Sequence, residues 1–100
     1  MLTHIVLWKL HDEAGGRTRD ENAKIAKERL EALAGQIPGL LHIEVGSDIL
    51  GSPASADLGL YTQLESREAL DVYQDHPAHV AIKGFMAEIT SARTVIDWIS

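Results

Sequence analysis

Apolar positions along the chain recur with two periods, every second residue and every third or fourth. Residues 2 to 10, LTHIVLWKL, put Leu2, His4, Val6, Trp8 and Leu10 on one parity and Thr3, Ile5, Leu7 and Lys9 on the other. Both parities are largely apolar, which predicts a central strand with cover on both faces. After Gly15-Gly16 the period lengthens. Thr18-Arg19-Asp20-Glu21 has capping-box spacing, and Ala23, Ala26, Leu30, Leu33 and Ile37 follow as one helical stripe, stopped by Gly35 and Pro38-Gly39. Leu41, Ile43 and Val45 alternate with His42 and Glu44 as a second strand. A polar loop over 46–55 then leads to Leu58, Leu60, Thr62 and Leu64, alternating as a third.

Ser66 is placed to cap a short helix holding Ala69, Leu70 and Tyr73. Pro77 ends that helix and starts another, since proline suits a first helical turn and unsettles the residue before it. Val80, Ile82, Phe85, Met86 and Ile89 continue as its stripe, and residues 92–99 form a fourth strand. The order β-α-β-β-α-α-β is an α+β, ferredoxin-like split βαβ arrangement: helices on one face of a four-stranded antiparallel sheet. Such a sheet keeps one face bare, yet the first strand is apolar on both. The expected partner is therefore a second copy of the chain, two sheets packing face to face as a homodimer.

One hundred residues suffice for a single domain, 1–100, and nothing larger. Fifteen acids against nine bases leave a net charge of −6, against the basic footprint that nucleic acid or an anionic membrane requires. The absence of cysteine excludes disulfides, thiol nucleophiles and zinc-thiolate sites. With no basic leader and no apolar run of membrane-spanning length, the expected location is the cytoplasm.

Candidate chemistry lies with the five histidines. His11 and His42 read as surface residues. His4 lies on the first strand, and His76 and His79 flank Pro77 just beyond Tyr73. His79, in the first turn of the third helix, feels free N–H groups that favour neutral imidazole, while Asp75 favours the charged form. A neutral histidine in a covered pocket suits a general base, and Tyr73 suits a donor to a carbonyl. The structural readings stand beside these: His76 and His79 as helix-start residues, Tyr73 as a core aromatic with a polar tip, and Trp8 and Trp98 as core or interface packing. His76 and His79 lack a third ligand, so no metal is expected. No P-loop, dinucleotide fingerprint, nucleophile elbow or His-Glu-x-x-His motif occurs, and no cofactor is expected.

The run His4-Ile5-Val6-Leu7-Trp8-Lys9-Leu10, the turn Pro38-Gly39 into Leu41-His42-Ile43-Glu44-Val45-Gly46, Tyr73-x-x-His76-Pro77-x-His79 and Arg93-x-Val95-x-Asp97-Trp98 together resemble the stress-responsive α/β-barrel (Dabb) family. The resemblance spans essentially the whole chain and implies a dimeric α/β barrel. A plant polyketide cyclase of this family performs an intramolecular aldol condensation with a tyrosine and the second histidine of the His-Pro-x-His run. Those roles fall on Tyr73 and His79, and a supporting histidine falls on His4. Three functions compete: a dimeric protein binding a small hydrophobic ligand between sheet and helices, a cofactor-independent cyclase or monooxygenase, and a purely structural assembly module.

Overall fold

A computed structural model describes residues 1–100. Nine elements follow in order: β1 (Leu2–Leu10), β2 (Glu13–Ala14), β3 (Arg17–Thr18), α1 (Arg19–Glu31), β4 (Leu40–Ser47), β5 (Leu58–Leu64), α2 (Arg67–Asp75), α3 (Pro77–Ile89) and β6 (Thr90–Ile99). The main sheet runs β4-β5-β1-β6 with every neighbour antiparallel, the ferredoxin-like order. Directly opposed residues share a face, so Leu2, His4, Val6, Trp8 and Leu10 lie with Leu58, Leu60, Thr62 and Leu64 beneath the helices. These nine are all buried.

The helix starts form as their residues dictate. Thr18 Oγ1 accepts from the Glu21 N–H while Glu21 accepts from the Thr18 N–H, completing the capping box of α1. Ser66 caps α2 through the Ala69 N–H. The α1 stripe outlasts its helix: beyond Glu31 the backbone tightens into i→i+3 turns that still turn Leu33 and Ile37 inward. Gly39 then reverses the chain at φ 82°, where a Cβ would stand 2.7 Å from the Ala69 Cβ, so glycine is required twice over.

Lys27 and Glu31, four apart on α1, do more than form a solvated ion pair. Lys27 Nζ donates to the Val45 carbonyl at 2.6 Å, and the Val45 N–H donates to Glu31 at 3.0 Å. The pair closes part of the free edge of β4. Its hydrogen bonds, from Lys27 first and Val45 second, hold the Glu31 carboxyl below its ordinary pKa.

Four expectations need correction. Leu41 is exposed: the β4–β5 register slips between Leu40 and His42, so half-buried Leu40 takes the inward position instead. Val80 is exposed on the outer face of α3, leaving Ile82, Met86 and Ile89 as its buried stripe. The last strand begins at Thr90 rather than Ala92, because α3 passes into β6 without a loop. The Gly15-Gly16 loop is the turn of a small hairpin, β2–β3, with φ of 60° and 76° at the two glycines.

The opposite face of the sheet has no cover. Leu7, Tyr61, Ile96 and Trp98 stand on it partly exposed, Ile96 at 58% and Trp98 at 44%. No helix is long and apolar enough to cross a membrane.

Candidate functional site

The helices cover β4, β5 and β1 but leave β6 open, and a cavity of about 570 Å³ lies along that boundary. Val6, Trp8, Leu30, Leu60, Ile82 and Met86 form its apolar walls. His4 enters from the sheet and His79 from the start of α3. The two histidines singled out from sequence, 75 residues apart, thus reach one space.

His4 is 2% exposed, and its Nδ1 lies 2.5 Å from Asp97 Oδ1 across the β1–β6 register. A carboxylate accepts, so the His4 Nδ1–H donates. The Thr62 hydroxyl donates to the His4 carbonyl at 2.7 Å, fixing the strand on its other side.

His79 Nδ1 lies 3.2 Å from the Gln74 carbonyl oxygen, the last part of α2. A carbonyl only accepts, so this ring too carries its proton on Nδ1 and its lone pair on Nε2. Burial lowers the His79 pKa below the ordinary 6.5; the Gln74 bond raises it, while Lys83, His4 and Arg93 push it further down. Asp75 plays no part in the balance. The imidazole is neutral at pH 7.

Tyr73 is fully buried and does not line the cavity. Its ring packs 4.5 Å from the His79 ring and 6.1 Å, edge-on, from His4, so it backs the two histidines. Burial raises its pKa to about 12 against a small opposing pull from Arg93. Its hydroxyl is the one buried side-chain polar atom without a hydrogen-bond partner. His76 does not join the group: its Nδ1 accepts from the Ala78 N–H at 3.1 Å and caps α3, with Pro77 in the first turn. No cluster of three or more metal-ligating side chains is present.

Four contributors escaped the sequence reading. Asp97 and Gln74 fix the two imidazoles, and Lys83 and Arg93 line the cavity. Lys83 was within reach, since it follows His79 by four residues on one helix face. Asp97 and Arg93 depend on strand register, which spacing does not reveal.

The molecule is thus a ferredoxin-like α+β protein with a cavity lined by His4 and His79 and backed by Tyr73. The chain belongs to the stress-responsive A/B barrel domain family, whose model matches residues 2–100. An uncharacterised protein of Streptomyces coelicolor is 38% identical over 82 residues, 81% of each chain. A dimeric protein of unknown function from Bacteroides fragilis superposes with a TM-score of 0.85 at 30% identity, covering 99% of this chain and 95% of that one. A dimeric ferredoxin-like protein from Thermobifida fusca matches with the same TM-score at 22% identity over 99% and 90%.

The depressed pKa of His79 has a signed consequence for stability. The unfolded chain binds the proton that the folded one refuses, so stability rises with pH through this window. It is complete above pH 6.5 and falls as the pH drops below it. Thermal melts at pH 7.5 and 5.0 are expected to differ more for wild type than for His79→Gln; equal differences would remove His79 as the source.

Proposed function

We propose that the chain forms a homodimer through the bare face of its sheet and holds a small hydrophobic molecule in the cavity of each protomer. The observation that carries the ligand reading is the cavity itself: about 570 Å³, in the range of small-molecule sites, with Val6, Trp8, Leu30, Leu60, Ile82 and Met86 as apolar walls beside the polar side chains of His4, His79, Lys83 and Arg93. N-phenyl-1-naphthylamine, an uncharged apolar fluorophore, is expected to bind at micromolar concentration. Ala87→Trp, which fills the rim from an exposed position, is expected to weaken it at least tenfold without lowering the melting temperature. Absence of binding, or equal binding by the variant, overturns the reading.

The dimer reading is supported by Leu7, Tyr61, Ile96 and Trp98 on the uncovered face, and by the dimers described for the Bacteroides and Thermobifida proteins. Burying a leucine or isoleucine side chain is worth about 1.5–3 kcal/mol, so several together offset a large part of the cost of association. Ile96→Lys keeps its long stem in water in the protomer and buries a charge in the dimer. Sedimentation is expected to show a dissociation constant at least 100-fold higher with unchanged circular dichroism; a wild-type monomer, or a variant dimer of equal strength, refutes the interface.

A second reading has its own support. His79 is neutral, with its lone pair on Nε2 of a ring lining the cavity, as a general base requires. In this reading His79 removes a proton α to a carbonyl, Tyr73 donates to the carbonyl oxygen, and His4 supports the pair, as in an aldol cyclase. Tyr73 takes this part only when its covered hydroxyl meets the substrate, and that atom's lack of any partner suits such a role. Deuterium exchange α to the carbonyl of undecan-2-one is expected to exceed the buffer rate and to be lost in His79→Ala but kept in His76→Ala. Exchange at the buffer rate in wild type, or undiminished in His79→Ala, rejects it.

A further inference from the structure

The polar part of the cavity has one sign. Lys83 from α3 and Arg93 from β6 stand on opposite sides of it, and no aspartate or glutamate lines it. This is unusual in a chain of net charge −6. Elsewhere Arg17 pairs with Glu88, Arg19 with Asp12 and Lys27 with Glu31, while Lys9, Lys24, Arg29 and Arg67 form no ion pair. The other large cavity, between α1 and the loop over 48–57, sets Arg19, Lys24 and Lys27 against Asp20, Asp48 and Asp57. Lys83 and Arg93 have neither an ion pair nor a side-chain hydrogen bond.

Their positions are fixed by the elements that build the cavity. Lys83 follows His79 by one helical turn, so both present to the same side of α3. Arg93 lies opposite Trp8 in the β1–β6 register and therefore on the helix-facing side of the sheet, beyond the last covered strand. Trp8 forms apolar wall while Lys83 and Arg93 reach the exposed rim. The carboxylate nearest the histidines, Asp97, is already held by His4.

We infer that the cavity takes an amphipathic anion, an apolar chain or ring ending in a carboxylate, with the head group bound between Lys83 and Arg93 and the apolar body against Val6, Trp8 and Leu60. This rests on the cavity being a ligand site and specifies what enters it. A guanidinium offers a planar pair of donors that matches a carboxylate, and the ammonium adds a point charge. Both are exposed, so solvent screens them and the preference is moderate, about tenfold.

Calorimetric titration with decanoate, decan-1-ol and decylamine tests the inference on the whole chain. Decanoate is expected to bind about tenfold more tightly than decan-1-ol, with decylamine weakest and the preference shrinking in 0.5 M sodium chloride. In Lys83→Gln/Arg93→Gln, substituted at exposed positions and checked by melting temperature, decanoate and decan-1-ol are expected to bind alike. Equal binding of the two by wild type overturns the anion preference while leaving the cavity as an apolar site. A preference that survives the double substitution overturns the assignment to these two residues. Binding of none of the three probes overturns both this inference and the ligand reading beneath it.

Discussion

The geometry depends on a mismatch between a four-stranded sheet and a helix layer that covers only three strands. α1 and α2 pack over β4, and α2 over β5, while α3 packs against α1 and α2 before the chain passes directly into β6. Because α3 and β6 meet at Ile89-Thr90 without a loop, the helix leaves the sheet at the edge where its own strand begins. The wedge between them is the cavity, and its walls are ordinary core residues left with one side unfilled. The same lack of cover leaves nearly all of β6 open to water.

The histidine group follows from the α2–α3 junction. His76 in extended backbone, ψ 135°, with Pro77 at the first helical position, breaks one helix and starts the next within a single residue. That corner carries Tyr73 at the end of α2 back beneath His79 at the start of α3, and brings the Gln74 carbonyl within reach of the His79 ring. One imidazole is thus set by a helix end and the other by a strand neighbour. Both carry a proton on Nδ1, although their partners differ in charge.

Electrostatics divide the molecule in the same way. Acidic side chains complete the α1 capping box and pair with bases around α1, whereas the fully charged side chains lining the wedge between α3 and β6 are the cations Lys83 and Arg93. Those cations and the buried setting act together on His79. An anionic guest would therefore meet a neutral base rather than a charged one, and the two cations would carry the attraction.

Much of this was legible in the chain. Alternation in 2–10 and 58–64, the Thr18 and Ser66 caps, and Pro77 between two stripes identify the elements, because period and capping are local properties. His4 and His79 were legible as candidates because few residue types titrate near neutrality. What lay beyond the sequence depends on contacts between distant segments. The slip at Leu40–His42 turns Leu41 out because a strand's neighbour, not its own alternation, sets its register. The β1–β6 pairing brings Asp97 to His4 and Arg93 opposite Trp8. Tyr73 behind the cavity, rather than lining it, is likewise a packing outcome. The chain alone determined which groups could do chemistry; only the tertiary structure decided which of them share a space, since register and helix departure are settled where segments far apart in sequence meet.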